Sequence, residues 1–106
     1  MIQVSVKKQR DDIVGFHIEG HSGYQTSGFD IVCAAVSALA INCINSVEAF
    51  TEDTFSFGRD DPRGMLDFEV TGPVSKETQL LFQSLFLGIR KIEESYGSQY
   101  VTFINR

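Results

Sequence analysis

Residues 31–50 read IVCAAVSALAINCINSVEAF, and this run decides the fold because Glu48 is its only charged residue. A helix that is apolar nearly all round has to be covered on more than one side. We therefore predict a largely buried helix over this run, with a sheet on one side of it. A second helix or a second subunit must cover the rest, and we predict a homodimer on that ground.

Period-two patterns on both sides of this helix predict β-strands. Strands are expected at residues 2–6, 14–18, 53–58, 65–70 and 100–104, with turns at KKQRDD (7–12) and DDPRG (60–64). His17 and Glu19 should share the polar, exposed face of the second strand. A second helix should begin after Ser75, a good N-cap, and end at Gly97, which suits a C-cap. Together these elements predict an α+β domain of two layers, with a mainly antiparallel sheet and two main helices.

Size and charge limit the number of domains and the kinds of partner that the chain can have. A chain of 106 residues suits one domain, residues 1–106, with one core. Its formal net charge of -5 argues against direct binding of nucleic acid, which normally needs clustered Lys and Arg, and fits a basic partner better. We find no apolar run of the ~20 residues that a bilayer span requires and no signal-peptide pattern at the N-terminus. We therefore expect a cytoplasmic protein that binds no membrane.

The two cysteines, Cys33 and Cys43, are not expected to pair with each other. On one helix they lie ~15 Å apart along the axis, whereas a disulfide needs Cα atoms within ~7 Å. At least one of them should therefore be a free thiol.

The stretch EGHSGYQTSGFDIVCAAVSAL, residues 19–39, places reactive side chains at the start of the helix. Asp30 is a good N-cap, so Cys33 is predicted to be the third helical residue, within the first turn. Unpaired backbone N–H groups and the helix dipole favour negative charge there, which increases the thiolate fraction of a cysteine. Ser37 lies one turn further along the same face. His21, across a loop from this face, is a candidate base.

Each of these side chains also has an ordinary structural explanation. A cysteine in so apolar a helix is usually a small buried hydrophobe, and Cys43, with no polar neighbours, fits that description best. A histidine after a strand, such as His21, is commonly an exposed loop residue. Asp30 could serve only as a cap, and Ser37 could simply allow close packing. The spacing alone leaves a Cys–His nucleophilic pair as one interpretation among several.

A known family signature matches this region. The chain resembles the Prp family of bacterial ribosomal-processing cysteine proteases in the pattern Gly20-His21-x-Gly23-Tyr24…Gly28-x-Asp30-Ile31-Val32-Cys33-Ala34-Ala35-Val36-Ser37. The resemblance extends over essentially the whole chain, because the length, the opening strands, the later hairpin and the closing helix also fit.

The resemblance implies a small cytoplasmic endopeptidase, commonly dimeric, that needs no cofactor or metal. Cys33 would be its nucleophile and His21 its general base. The substrate would be the precursor of a large-subunit ribosomal protein with a basic N-terminal arm. A short extension of that precursor would be cut off after a phenylalanine.

The same resemblance implies roles for residues around the pair. Gly20, Asp30 and Ser37 would support the site or contact the substrate. The loop of residues 22–29 would be a flexible cover over the bound peptide. Gly23, Tyr24 and Gly28 of this loop belong to the matched pattern, and Ser22 occupies its variable position between His21 and Gly23.

Three other interpretations stay open at this point. A non-catalytic ribosome-assembly module would bind a ribosomal protein without forming product and would be indifferent to thiol alkylation. A Cys–His acyl hydrolase would turn over small thioesters in a pocket, whereas a peptidase requires an open groove. A metal site is the weakest, since no short paired-ligand motif is present among the available ligands, which are His17, His21, Asp30 and Cys33.

Overall fold

The computed structural model describes residues 1–20 and 27–105, and for residues 27–30 it describes the backbone only. The elements follow in the order β1 (Ile2–Gln9), β2 (Asp12–Glu19), α1 (Ser27–Phe50), β3 (Phe55–Asp60), β4 (Met65–Val70), α2 (Lys76–Tyr96) and β5 (Val101–Phe103). Across these described ranges the strands form one sheet in the order β3-β4-β2-β1-β5. Its pairs are antiparallel except for β1 with β5, which run parallel. This architecture confirms the predicted α+β class.

One hydrophobic core joins the inner face of the sheet to both helices. Phe16 of β2 packs against Phe68 of β4 and Phe82 of α2, with ring centroids 5.6 Å and 6.2 Å away. All three rings are fully buried. Alternate residues of β4 point inward and outward as predicted, with Leu66, Phe68 and Val70 buried and Asp67 and Glu69 on the other face.

Helix α1 begins at Ser27, earlier than the predicted start at Ile31. Asp30 therefore belongs to the first turn and is not the N-cap, Cys33 is not within the first turn, and Gly28 is helical and not part of a loop. The prediction failed because an acidic residue is as favourable inside the first turn as at the cap. A single aspartate thus marks the neighbourhood of a helix start without fixing the residue.

In the single chain, helix α1 is only partly buried. Its segment Ile31–Phe50 has a mean hydropathy of 1.7, and 33% of its most apolar window is buried. Val32 and Val36 are buried in the core, whereas Ala34 and Ala38 are exposed. By length and composition this segment could cross a membrane, so the expectation that no run is long enough is wrong. Core helices meet the same criteria, and α1 shares one core with the sheet.

Both ends of α2 match the prediction. The Ser75 hydroxyl accepts a hydrogen bond from the backbone N–H of Thr78 at 3.1 Å, as an N-cap should. At the other end, Gly97 has φ 114°, and its N–H donates to the carbonyl of Glu93 at 2.8 Å. Local side-chain chemistry therefore fixes the limits of this helix.

The first hairpin turn is shorter than predicted. β1 and β2 continue to Gln9 and Asp12, which leaves only two residues between them. The first of these, Arg10, has φ 59°, the left-handed conformation that two-residue hairpin turns require. The strand ends extend past the apolar core, so the alternating pattern stops before the strands do.

Replacement of Ser75 by alanine should lower the free energy of unfolding by about 1 kcal/mol, the usual cost of a lost N-cap. The hydroxyl also donates to Oδ2 of Asp53 at 2.9 Å and lies 3.1 Å from the hydroxyl of Thr78, so the alanine removes more than the capping bond. Urea denaturation should show a lower midpoint with an unchanged slope. Ser84→Ala, at an exposed position of the same helix, is the control and should not lower the midpoint. Equal midpoints for Ser75→Ala and the wild type would contradict this account of the cap.

Candidate active site

A cavity of about 330 Å³ lies between α1 and the ends of four strands, β1 to β4. Helix α1 contributes Cys33, Ser37 and Ile41, which follow one another at four-residue spacing and therefore lie on one face. The sheet side of the cavity is lined by Ile2, Ile18, Gly20, Arg59, Asp61, Gly64, Met65 and Leu66. The cavity thus combines an apolar floor with polar groups at its edge.

Cys33 is a free, half-buried thiol that lines this cavity and packs against the edge of the core. Ser37 and Gly20 line the same cavity, so the structure brings together three of the residues predicted for the site. Asp30 is described by its backbone alone, and its predicted contact with the site is therefore not described.

The remaining predicted site residues lie outside the part of the chain that the structure describes. These are His21, Ser22, Gly23 and Tyr24. The pairing of His21 with Cys33 is therefore still a prediction, and so is the covering role of the loop.

The early start of α1 changes the electrostatics expected at Cys33. The sulfur-bearing residue lies six residues after Ser27, which corresponds to about 9 Å along the helix axis. The stabilisation of negative charge by unpaired N–H groups falls off within the first turn. Cys33 is therefore farther from the start of the helix than the sequence suggested, and a nearby base becomes more important.

Gly20 occupies a position that no other residue type fits. Its φ is +114°, in the region that favours glycine. A Cβ at this position would overlap the backbone carbonyl oxygen of Met1. The chain leaving β2 is therefore held close to the N-terminal strand at the residue that directly precedes His21.

The hairpin between β3 and β4 supplies site residues that the sequence analysis missed. Arg59 and Asp61 line the cavity opposite α1, and Nε of Arg59 donates to Oδ1 of Asp61 at 2.6 Å. The sequence analysis predicted the strands and the turn of this hairpin but gave it no role in the site. One signal was available: Arg59 is paired with Leu66 across the two strands, which gives it the same face as a core residue.

His17 lies on the outer face of the sheet, away from the cavity. Its Nδ1 lies 2.8 Å from Oδ1 of Asp67 and its Nε2 lies 2.9 Å from Oε1 of Glu19. The hydrogen bond to Glu19, with further help from Asp67, outweighs the effect of burial and raises the pKa of His17. Among the described residues no cluster of His, Cys, Asp and Glu suits a metal ion, and His17 is not placed beside Cys33.

Cys43 is buried, whereas Cys33 is half-buried and lines the cavity. The side chain of Cys43 is 4% exposed, and its thiol is 3.7 Å from the carbonyl oxygen of Leu81. Burial raises the pKa of Cys43 to about 12. Cys43 is therefore a packing residue, as predicted, and both cysteines are free.

The chain is similar to known proteins over most of its length. The family model described as "Cysteine protease Prp" matches residues 1–102. A Bacillus subtilis protein named ribosomal processing cysteine protease Prp is 29% identical over 101 residues, covering 91% of this chain and 90% of that protein. A Staphylococcus aureus protein of the same name is 29% identical over 80 residues, covering 76% of each chain.

Solved structures share the fold over the full length of the chain. A crystal structure of an essential ribosomal processing protease Prp from S. aureus, in complex with a substrate peptide, has a TM-score of 0.89 at 23% identity and 100% coverage of both chains. The crystal structure of SMU.848 from Streptococcus mutans has a TM-score of 0.83 at 30% identity, covering 100% of this chain and 96% of that one.

The two thiols should differ sharply in reactivity. At pH 8, a thiol with a pKa of about 12 is thiolate in only about one molecule in 10⁴, and the thiolate is the reacting form. Native protein treated with iodoacetamide should therefore gain one carbamidomethyl group, on Cys33, and a second only in denaturant. Intact-mass measurements on Cys33→Ala and Cys43→Ala should show no label and one label, respectively. Labelling of Cys43 in native protein as fast as Cys33 would contradict this assignment.

Proposed function

We propose, since this chain belongs to the Prp family of cysteine proteases, that it removes the N-terminal extension from the precursor of a large-subunit ribosomal protein. Its relatives in S. aureus and B. subtilis are named ribosomal processing cysteine proteases, which supports this substrate class. The observation that carries the proposal is the half-buried Cys33 thiol in a cavity that also contains Ser37 and Gly20. The reaction would take place in the cytoplasm, where ribosomal proteins are made.

The proposed reaction is acyl transfer through Cys33. His21 takes the thiol proton, and the sulfur attacks the carbonyl carbon of the scissile peptide bond. The C–N bond then breaks, His21 gives its proton to the leaving amine, and the other half of the peptide stays on sulfur as a thioester. Water, deprotonated by His21, cleaves the thioester and restores the thiol. Because Cys33 lies beyond the first turn of α1, this scheme depends on His21 as the base.

The floor of the cavity fits a large apolar side chain next to the scissile bond. Ile18, Val36, Ile41 and Leu66 give the cavity that Cys33 lines an apolar part. Burial of one phenylalanine side chain against such a surface contributes about 1.5–3 kcal/mol. This chemistry is consistent with cleavage after a phenylalanine, as the resemblance implies.

Charge supports a basic substrate. The chain carries a formal net charge of -5. An acidic surface raises the rate at which a lysine-rich segment meets the site. The basic arm of a ribosomal protein is such a segment.

Cleavage of a synthetic peptide that spans the precursor junction tests the proposal directly. The wild type should yield two fragments, identified by mass, with the cut after phenylalanine. Cys33→Ala should abolish cleavage, and His21→Ala should lower kcat/KM by about 10²–10⁴-fold, the usual contribution of a general base. Cys43→Ala is the matched control and should still cleave. Both inactive variants should keep the urea midpoint of the wild type.

Other outcomes of this experiment would select a rival function. If folded Cys33→Ala or His21→Ala protein still cleaves the peptide, the proposed catalytic pair of Cys33 and His21 is wrong. A wild type that binds the peptide without cutting it, even after alkylation, would indicate a ribosome-assembly binding module. Turnover of small thioesters without peptide cleavage would indicate an acyl hydrolase.

We also propose that the chain forms a homodimer through the outer surface of its two helices. The helices run antiparallel, because Gly88 lies beside Leu39 and the thiol of Cys43 beside the carbonyl of Leu81. Large apolar side chains are exposed on both, with Leu87 of α2 57% exposed. Within the described residues, the sheet and α2 are the elements that cover α1, and a helix this apolar calls for further cover from a second subunit.

A charge placed on this surface should separate the subunits. Wild-type protein at micromolar concentration should sediment as a dimer, whereas Leu87→Glu should sediment as a monomer because an unpaired carboxylate in an apolar interface is costly. Gln3→Glu, at an exposed position on the other side of the sheet, is the control and should remain dimeric. A wild type that is only monomeric at this concentration would contradict the proposed dimer.

A further inference from the structure

The turn between β3 and β4 is tied to the end of β2 by an ion pair between Arg63 and Glu19. Nη2 and Nε of Arg63 donate to Oε2 of Glu19, at 2.8 Å and 3.2 Å. Glu19 is the last residue of β2, and Arg63 lies in the turn. Both donors of the rigid guanidinium converge on one carboxylate oxygen, which fixes the position of that oxygen relative to the turn.

The carboxylate of Glu19 is also held from its other side. Its Oε1 accepts a hydrogen bond from Nε2 of His17 at 2.9 Å. The hydrogen bond from His17, and then that from Arg63, lowers the pKa of Glu19. His17 is itself fixed by Asp67, which pairs with Lys7 at 2.8 Å. Glu19 is therefore an ionised and oriented anchor for the turn.

The residues that follow the two partners both line the cavity of Cys33. Gly20 follows Glu19 and Gly64 follows Arg63, and these glycines belong to the sheet-side wall. Gly20 has little freedom to adjust, because the backbone of Met1 lies against it. The ion pair on the outer face thus joins two parts of the cavity wall.

We propose that the Arg63–Glu19 pair is a positioning device for the peptidase site, holding the β3–β4 turn and the end of β2 at the separation that the substrate peptide requires. The pair does not touch the reacting atoms and acts through Gly20 and Gly64. It also sets the point from which the chain continues to His21. This inference rests on the proposed protease function and adds to it two residues outside the family signature.

Because the Arg63–Glu19 pair is exposed to solvent, a positioning role can be distinguished experimentally from a role in stability. The side chains of Arg63 and Glu19 are 56% and 37% exposed, and ion pairs so exposed add little to folding. Arg63→Ala and Glu19→Ala should therefore shift Tm by no more than about 4 °C. Both should lower kcat/KM for the junction peptide by about 10–100-fold, because small displacements of reacting groups are costly. Most of the loss should be in kcat.

The double variant and two further substitutions complete the experiment. Arg63→Ala combined with Glu19→Ala should lose no more activity than either alone, since both remove the same contact. Arg63→Lys should recover part of kcat, because lysine keeps the positive charge. The recovery should be incomplete, because lysine lacks the two donor nitrogens of the guanidinium. Lys91→Ala breaks an exposed pair with Glu94 on α2, 3.4 Å apart, and should leave kcat/KM unchanged.

The possible failures of this inference and of the proposed function are distinct. A wild type that does not cleave the peptide overturns the proposed function, and the inference falls with it. A wild type that cleaves, with Arg63→Ala within about twofold of it, overturns the inference alone. The inference is also overturned if the losses of kcat/KM add up in the double variant. It is likewise overturned if each variant's loss of activity is proportional to its fraction of unfolded protein.

Discussion

The packing of α1 against the inner face of the sheet is the constraint on which the rest of the structure depends. Val32, Val36 and Ala40 are buried along one side of the helix, and each such valine contributes about 1.5–3 kcal/mol. Cys33 and Ser37 follow the two valines directly, so they lie on an adjacent side that turns toward the cavity. Core packing therefore decides where the thiol points. A rotation of the helix by one residue would bury the sulfur in the core.

The two faces of the sheet have different roles. The inner face supplies the core and the floor of the cavity, while the outer face carries alternating charges such as those of Lys7, Asp67 and His17. The β3–β4 hairpin links the two, because Arg59 lies toward the cavity and Arg63 binds Glu19 on the outer side. The proposed site is therefore assembled from segments far apart in the sequence. Its geometry depends on the order of strands as much as on the cysteine motif.

Sequence alone predicted the features that depend on local chemistry. Alternation identified the strands, and Ser75 and Gly97 marked the ends of α2, because caps are set by the residue itself and its nearest neighbours. The start of α1 was predicted wrongly, since Asp30 suits two positions of a helix equally well. The grouping of Cys33 with Ser37 followed from helical spacing.

Other features required the fold. The contribution of Arg59 and Asp61 depends on the position of β3 at the edge of the sheet beside β4, which no local pattern in the hairpin reveals. The exposure of α1 depends on how much of it the single sheet and α2 can cover. An apolar helix has the same composition whether its other side packs against a second subunit, a membrane or another part of the same chain. Composition alone therefore could not identify what covers α1.

The most direct test of the central claim is a crystal structure of the Cys33→Ser variant with an uncut junction peptide. The account predicts that the peptide lies in the cavity between α1 and the β3–β4 hairpin, with its scissile carbonyl carbon beside residue 33 and the imidazole of His21 within hydrogen-bond reach of the serine hydroxyl. A peptide bound elsewhere on the chain, or an imidazole held away from residue 33 in the complex, would contradict it.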